Sequence, residues 1–421
     1  MRILWVSNVI PYPPKSGSLL REYNLLRRVA ARHTVDLVAF NQTALLDSMF
    51  TDRAAGLAHC RRELGGLCRR LIVVPIERHE RPFGRTRTAA ECLIAGDGYI
   101  ADWLRSTAAA AAIRDLAQGA TYAAAYFNAI SVARYRELVA APAALAHQNI
   151  ESHMMRRRAD NESNIFKRAY FRQEARRLAR YERYSTPRFA ANIVCSDLDA
   201  ARLREVVPGI ASTVIPNGVD CGYFRPVGRA ERPQSLIFVG SLNWYPNTDA
   251  VLFLLREIWP RLKSVRPAAT LDIVGAKPPR AIVAAASGLT GVTVHGFVED
   301  VRSLIETAAV YVCPIRDGGG TKLKILDACA MRKCIVAHPI ACEGIALSPG
   351  IDVRLARTAD DFVHAITGLF GDDVTRGALG MAARALAEER YSFDAIGDRM
   401  ADVLEEVAVA GPAGPPVKEP V

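Results

Sequence analysis

A strand, a loop, a helix and a second strand succeed one another within the first 40 residues of the chain. Arg2–Asn8 is a short apolar run typical of a buried strand, and a proline-rich loop follows it. Leu19–Arg32 repeats apolar residues on one helical face, and Val35–Phe40 is apolar again. Strands joined by a crossover helix lie parallel in one sheet, so this start predicts a parallel α/β fold.

The same alternation fills the rest of the chain, with a polar break at Gly228–Gln234. Strands are predicted before the break at Arg70–Ile76, Ala123–Asn128, Ala143–His147, Ala191–Ser196 and Ser212–Pro216, and after it at Ser235–Gly240, Ala269–Gly275, Val292–Phe297, Val310–Pro314 and Cys334–His338. Helices are predicted at Glu151–Phe189, Ala250–Val265 and Lys322–Met331.

This pattern predicts two Rossmann-like, doubly wound parallel-sheet domains that face a central cleft. The expected ranges are 1–228 for the first domain, 229–390 for the second domain, 391–410 for a final helix and 411–421 for a disordered tail. Ligands of such folds bind at the carboxyl ends of the strands.

Composition restricts the class of protein. Half of the residues are hydrophobic, and no apolar run reaches the roughly 18 residues of a membrane-spanning helix. The first residues lack the pattern of a signal peptide. The nine cysteines form no CxxC pair and no His/Cys group at zinc spacing, which is typical of reduced thiols. We therefore expect a cytoplasmic protein without a metal site.

Positive charge is concentrated in the first half of the chain. Residues 1–210 hold 32 Lys and Arg against 20 Asp and Glu, whereas residues 211–421 hold 22 against 24. The region Arg156–Arg188 alone has eleven basic residues with aromatic residues between them. A basic helix on lipid headgroups, at the inner face of a membrane, is one interpretation, and a solvated helix with Glu pairs is the other. Nucleic-acid binding is not expected, because no motif for it accompanies the charge.

The stretch Pro314–Asp327 is predicted to end a strand, pass through three glycines and open a helix. Glycines allow a close backbone approach to a ligand, and a helix start offers free N–H groups to an anion. A diphosphate is the ligand that fits, and a tight turn with solvated lysines is the alternative. The candidate donor-binding residues here are Gly318, Gly319, Gly320, Thr321 and Lys322, and the candidate catalytic cations are Arg316 and Lys324.

Asp327 follows Lys324 by about one helical turn. A carboxylate in that position accepts hydrogen bonds from two ribose hydroxyls, as the acidic residue of dinucleotide folds does. The alternative is a surface aspartate that pairs with a lysine.

Two further candidates lie in the first half. Ser16 and Gly17 form a second glycine turn between a strand and a helix, where donor phosphates could be capped, although a simple connecting loop is the alternative. His147 ends a predicted strand and could bond a sugar hydroxyl, although a lone histidine is often structural.

Six ordered segments resemble the GT-B glycosyltransferases of the family-4 type. They are HQNIES (147–152), VIPNGVDCGYF (214–224), LIFVGSLNWYPNTDAV (236–251), LDIVGAKP (271–278), VHGFVEDV (294–301) and PIRDGGGTKLKILDACAMRKCIVAH (314–338). The N-terminal PYPPxSG pattern and GSLNWYPN are similar to sugar transferases of exopolysaccharide gene clusters.

The resemblance implies that domain 1–228 is the acceptor side, that domain 229–390 binds the nucleotide-sugar and that the helix at 391–410 returns to the first domain. It also implies roles for the candidate residues. His147 would contact the transferred sugar, Gly17 would approach the donor diphosphate, and Asp327 would hold the ribose. The backbone of Gly296 and Phe297 would meet the base, and Gly240 would border the donor.

The chain departs from the family at its charged positions. The first acidic position of the family's E-x7-E motif falls on Gly319, and the arginine common after the first strand of the second domain falls on Ser241. Arg316, Lys322 or Lys324 would then supply the charge at the diphosphate.

The expected function is therefore retaining transfer of a sugar from a UDP- or GDP-sugar to a glycan or lipid-linked acceptor in bacterial polysaccharide or glycoconjugate synthesis. No DxD-type carboxylate pair is apparent in the segments predicted to border the cleft, so no essential metal is expected. The alternatives are an isomerase like the sugar-nucleotide 2-epimerases and a non-catalytic nucleotide-sugar-binding protein.

Overall fold

A computed structural model describes residues 1–15, 17–76, 84, 87–88, 91–92, 98–318 and 320–411. The chain divides into two compact units: unit 1 comprises Met1–Pro216 and Ile396–Val421, and unit 2 comprises Asn217–Ala395. The first strand of unit 2 begins at Arg232, within the polar break. The predicted tail is 411–421, of which residues 412–421 lie outside the described residues.

The described part of unit 1 contains a seven-stranded parallel sheet with the order β3-β2-β1-β4-β5-β6-β7. The chain builds outward from β1 on one side and then continues on the other, which is the doubly wound arrangement predicted from the sequence. The strands are β1 Arg2–Ser7, β2 Thr34–Asn41, β3 Arg70–Pro75, β4 Ala124–Asn128, β5 Ala143–His147, β6 Ala191–Val194 and β7 Thr213–Val214.

The central strands are mostly apolar because helices cover both faces of a parallel sheet. All five residues of β4 and of β5 are buried. Trp5 packs on Tyr126 of the neighbouring strand with ring centroids 4.0 Å apart. The helices of unit 1 are α1 Gly17–Arg32, α2 Thr43–Asp47, α3 Arg53–Gly65, α4 Tyr99–Asp102, α5 Thr107–Gly119, α6 Glu151–Asp160, α7 Ile165–Ser185 and α8 Asp197–Val206. Short 3-10 helices span Ile130–Leu138 and Thr186–Arg188.

The long helix predicted at Glu151–Phe189 is in fact two helices, α6 and α7. The Asn164 side chain accepts hydrogen bonds from the backbone of Phe166 (3.0 Å) and Lys167 (3.1 Å). This N-cap starts a new helix inside a stretch whose composition is helical throughout.

The described part of unit 2 contains a six-stranded parallel sheet with the order β10-β9-β8-β11-β12-β13. Unit 2 therefore repeats the doubly wound strand order of unit 1. The strands are β8 Arg232–Val239, β9 Thr270–Val274, β10 Val292–Gly296, β11 Ala308–Cys313, β12 Cys334–Ala337 and β13 Arg354–Leu355.

The first helical segment of unit 2 begins at Tyr245, earlier than the predicted Ala250, because Pro246 fits the first turn of a helix. The helices of unit 2 are α9 Tyr245–Phe253, α10 Trp259–Val265, α11 Arg280–Ala286, α12 Arg302–Thr307, α13 Leu323–Ala330, α14 Ala359–Phe370 and α15 Asp373–Leu386. Two π-helical turns, Leu254–Ile258 and Ala387–Tyr391, and a 3-10 helix at Pro339–Cys342 complete it.

The last helix, α16 Phe393–Ala410, belongs to unit 1 from Ile396 onward. Its acidic face pairs with α1 of the same unit: Arg28 contacts Asp398 at 2.8 Å, and Arg32 contacts Asp402 and Glu405, each at 2.7 Å. None of the helices in the described ranges is long and apolar enough to cross a membrane.

Candidate functional site

The carboxyl ends of four neighbouring strands in unit 2 lie at one edge of its sheet. Gly240 follows β8, Gly275 follows β9, and Gly296 ends β10. Backbone hydrogen bonds join these ends, from Gly240 N to Val274 O at 2.9 Å and from Gly275 N to Gly296 O at 2.8 Å. The predicted residues Gly240, Gly296 and Phe297 therefore share one edge, and the Phe297 side chain is 76 % exposed there.

The loop after β11 reaches the same edge and leads into α13. Gly318 has φ +105°, which a residue with a Cβ rarely adopts, and a Cβ there would lie 2.9 Å from the Pro246 ring. Gly319 lies outside the described residues. Thr321 places its hydroxyl oxygen in a buried position with no hydrogen-bond partner among the described residues. The loop is thus close to the start of α9 and carries a buried hydroxyl.

Lys322 lies at the end of this loop and is buried. Its Nζ donates to the backbone carbonyls of Gly318 and Gly320, each at 2.8 Å. The ammonium of this candidate donor-binding residue therefore engages the glycine loop itself and fixes its shape.

Lys324, in the first turn of α13, points toward the end of β8. Its Nζ donates to the Asn247 side-chain oxygen and lies 4.8 Å from the centroid of the Phe238 ring. Asn247 in turn donates to Ser241 O at 2.8 Å. A Cβ on Gly240 would overlap the ammonium, so the glycine makes room for the lysine. Burial lowers the pKa of Lys324 to about 8.

Asp327 follows Lys324 on α13 and is partly buried. Burial raises the pKa of its carboxyl to about 7, although the nearby Lys324 acts in the opposite direction. A carboxyl group that titrates near neutrality next to an ammonium of lowered pKa is typical of a functional site.

Arg316 lies on the loop after β11, beside α9. Its guanidinium pairs with the Asp249 carboxylate at 3.1 Å and stacks on the Phe253 ring, 4.0 Å from the centroid. Asn247 and Asp249 were not among the sequence candidates. The signal for them was present, since both lie in the YPNTD segment of a resembling motif.

In unit 1, His147 ends β5 and its side chain is buried. Its Nε2 is 3.2 Å from the Asn192 side-chain oxygen, and its Nδ1 has no partner among the described residues. Burial lowers the pKa of the imidazole to about 4, so it is neutral at physiological pH. Gly17 begins α1, and Ser16 lies outside the described residues.

Unit 1 also has a cavity of about 400 Å³ at the carboxyl edge of its sheet, which the sequence analysis missed. Amide side chains line it. One of them, Gln148, donates from Nε2 to Oδ1 of Asn128, which is not a lining residue, at 3.0 Å. Burial raises the pKa of the Glu151 carboxyl at its rim to about 7. The lining residues are Asn8, Gln42, Tyr99, Ile100, Trp103, Ala129, Ile130, Ser131, Gln148 and Glu151. The polar residues directly after three strands, Asn8, Gln42 and Gln148, were the available signal.

Among the described residues, no group of three or more His, Cys, Asp and Glu side chains is arranged to hold a metal ion.

Part of the chain is similar to a known protein family. Residues 233–372 match the family model described as glycosyl transferases group 1. No curated protein matches the chain.

Solved structures share the fold along nearly the whole chain. Anabaena Alr3699/HepE in complex with UDP has a TM-score of 0.66 at 14% identity, with 96% of this chain and 100% of that chain covered. Sucrose-phosphate synthase from Thermosynechococcus elongatus has a TM-score of 0.65 at 16% identity, with 98% and 100% covered. The pneumococcal O-GlcNAc transferase GtfA in complex with UDP and GlcNAc has a TM-score of 0.60 at 13% identity, with 97% and 99% covered.

The two parallel-sheet units and these structural neighbours define an α/β fold of the GT-B type. The fold expected from the sequence is thereby confirmed, and the family match over residues 233–372 agrees with the resemblance that the sequence motifs indicated.

Proposed function

We propose that the protein is a retaining glycosyltransferase that moves a sugar from a UDP- or GDP-sugar to a glycan or lipid-linked acceptor. The convergence of Gly240, Asn247 and Lys324 at the carboxyl edge of the unit 2 sheet is the observation that carries the proposal. It places an ammonium and a glycine-lined backbone where ligands of such sheets bind.

The donor diphosphate lies against the loop at Gly318–Lys322 and the start of α13. The free N–H groups of this helix start and the positive end of its dipole favour an anion. The buried Thr321 hydroxyl supplies a donor, and Lys324 supplies positive charge. Lys322 shapes the loop through its two carbonyl contacts. Asp327 accepts from the ribose, and Gly296 with Phe297 meets the base.

In the transfer step, the bond between the anomeric carbon and the diphosphate oxygen breaks, and the acceptor oxygen forms the new bond on the same face. The departing phosphate oxygen takes the proton of the acceptor hydroxyl. Lys324 and the N–H groups of the loop stabilise the negative charge that develops on the diphosphate. Arg316 contributes to the same field while Asp249 fixes its orientation. His147 contacts the transferred sugar, a role that rests on the resemblance of the sequence motifs to the family.

The acceptor is assigned to the cavity of unit 1. Amide groups such as those of Gln42 and Gln148 bond sugar hydroxyls, and the rings of Tyr99 and Trp103 offer apolar faces to a sugar ring. A hydroxyl-rich glycan fits this lining, which supports a role in polysaccharide or glycoconjugate synthesis.

A donor screen tests the proposal. The thermal unfolding of the chain is followed with UDP, GDP, UDP-glucose, UDP-GlcNAc and GDP-mannose, because a ligand that binds the native state raises the apparent stability. UDP is tested first, because HepE and GtfA were solved with it. The donor that stabilises the chain is then incubated with glycan acceptors, and the anomeric configuration of the product is read by NMR.

A linkage of retained configuration supports the mechanism, and an inverted linkage contradicts it. Epimerised donor in the absence of an acceptor would support the isomerase alternative. Donor binding without turnover over a broad acceptor panel would support the non-catalytic alternative.

A further inference from the structure

The helices α6 (Glu151–Asp160) and α7 (Ile165–Ser185) form an antiparallel pair in unit 1, here called the basic hairpin. Its inner face is a small apolar core, in which Met155, Phe171 and Leu178 are buried. The two helices of the hairpin are therefore packed on each other, and this packing fixes the positions from which the outer side chains extend.

Two large apolar side chains at the tip of the basic hairpin are left in solvent. Ile165 is 67% exposed and Phe166 is 80% exposed. They are the first two residues of α7, and the Asn164 cap fixes their backbone. Single exposed apolar residues are common on protein surfaces, but an adjacent exposed pair, one branched and one aromatic, is typical of an interaction surface.

Positive charge surrounds this apolar pair. Residues 156–176 contain seven Lys and Arg against three Asp and Glu, a net charge of +4. Two of these arginines have long ion pairs: Arg156 lies 3.7 Å from Glu205, and Arg172 lies 3.9 Å from Asp160. Exposed pairs of this length contribute little and are readily replaced by other anions.

A groove of about 570 Å³ runs along the same hairpin, between α6, α7 and α8. Its arginines are Arg156, Arg172, Arg176, Arg180 and Arg183, and its carboxylates are Asp160 and Glu205. Guanidinium groups bind phosphate through paired N–H donors, so the groove fits a phosphate-bearing headgroup.

We infer that the basic hairpin docks on an anionic lipid bilayer, with Ile165 and Phe166 entering the headgroup boundary and the arginines contacting lipid phosphates. A soluble anion would neutralise the arginines but would leave Ile165 and Phe166 in water. A bilayer covers both, because it offers an apolar layer beneath a negatively charged surface. Nucleic acid would stack on Phe166 but gives no reason for Ile165 to be exposed.

Vesicle sedimentation of the full chain tests the inference. We expect the chain to sediment with vesicles of phosphatidylcholine and phosphatidylglycerol at about a 3:1 ratio, and to remain in solution with phosphatidylcholine alone. Added salt should release the chain, because arginine–phosphate contacts at a surface are screened.

Two variants separate the apolar and the charged contributions. Phe166→Asp should lower the partition coefficient about tenfold or more, because it removes the ring that the bilayer would take out of water. The matched control is Val374→Asp, since Val374 is an 83% exposed apolar residue on α15 of unit 2. The double variant Arg172→Ala/Arg176→Ala should lower the coefficient as well, whereas Arg256→Ala/Arg280→Ala, which removes two exposed arginines of unit 2, should leave it unchanged.

An unchanged thermal unfolding temperature in each variant shows that the hairpin is intact. The readout is vesicle sedimentation, so it does not depend on donor binding. Equal binding to both vesicle types, or equal binding of Phe166→Asp and the parent chain, would overturn the inference. So would binding of a single-stranded RNA oligomer that outcompetes the anionic vesicles. Retention on the vesicles at low millimolar inorganic phosphate, which changes the ionic strength little, supports a bilayer partner, and release at that concentration would assign the groove to a free phosphate ligand instead.

Discussion

The Nζ of Lys324 donates to the side-chain oxygen of Asn247, so the first turn of α13 is joined to α9 at the end of β8. The same ammonium lies over the Phe238 ring, and burial lowers its pKa to about 8. The lysine is thus charged at neutral pH but loses its proton in a range that binding experiments can reach.

Replacing this lysine should weaken donor binding. Lys324→Met is expected to raise the dissociation constant of the nucleoside diphosphate by about 10- to 100-fold at pH 7, because a charged hydrogen bond is lost. In the parent chain the dissociation constant should also rise between pH 7 and pH 9, as the ammonium deprotonates. Titration calorimetry over this pH range measures both effects. Lys324→Arg keeps its charge, so its dissociation constant should change less between pH 7 and pH 9 than that of the parent chain. An identical pH dependence in Lys324→Arg and the parent chain would show that Lys324 does not contact the diphosphate.

Lys322 should behave differently from Lys324. Its Nζ binds the Gly318 and Gly320 carbonyls, so Lys322→Met leaves these loop carbonyls without that partner and should lower the unfolding temperature as well as the donor affinity. A loss of about 1 to 2 kcal/mol corresponds to a few degrees for a unit of this size. Scanning calorimetry with and without donor makes the comparison. If the unfolding temperature is unchanged while donor affinity falls, Lys322 contacts the ligand directly.

Gly240 should not tolerate a methyl group. In Gly240→Ala the new Cβ would overlap the Lys324 ammonium and lie 2.9 Å from Asn247 Nδ2. Displacement of the lysine is expected to reduce donor affinity at least about tenfold, in line with the loss of its charged contact. Gly368→Ala is the matched control, because a Cβ on this glycine of α14 meets no atom within 4 Å and a helical alanine stabilises by about 0.5–1 kcal/mol. Equal donor affinity in the two variants would contradict the assignment.

A buried carboxyl in unit 1 should make stability depend on pH. Glu22 accepts a hydrogen bond from Trp5 Nε1 at 2.7 Å, and burial raises its pKa to about 7. Since the native state favours the protonated form, this contribution to stability is complete below about pH 4.5 and is lost as the pH rises through 7. Glu22→Gln still accepts from Trp5 and stays neutral. It should therefore exceed the parent in unfolding free energy by about 1 to 3 kcal/mol at pH 8, but not at pH 5. Urea unfolding at the two pH values measures this, and a gap that does not change with pH would show that Glu22 titrates normally.

The fold was predictable because it depends on local patterns. The predicted strand at Arg2–Asn8 and helix at Leu19–Arg32 differ by one or two residues from β1 and α1. Apolar runs and helical periodicity report directly on elements that a parallel sheet buries. The break at Asn164 was missed, because one capping residue in a helical stretch changes composition very little.

The candidate site was predictable only in part. The glycines after β8, β10 and β11 follow from the strand ends, since these ends share one edge of the sheet. The contacts of the charged side chains do not follow. Arg316 pairs with Asp249, 67 residues away in sequence, and Lys324 bonds Asn247, 77 residues away. Periodicity describes which face a residue occupies, but it does not pair residues from distant segments. The unit 1 cavity was missed for the same reason, because five segments that are separate in sequence build it.

The pairing of α1 with the second half of α16 gives the order of synthesis a physical meaning. Arg28 and Arg32 are made early, whereas their partners Asp398, Asp402 and Glu405 leave the ribosome after all of unit 2. A nascent chain therefore holds unit 1 without its closing helix during the whole synthesis of residues 217–395. Translation stalled before residue 396 would leave the α1 face of unit 1 open to chaperones, although unit 2 could already have folded.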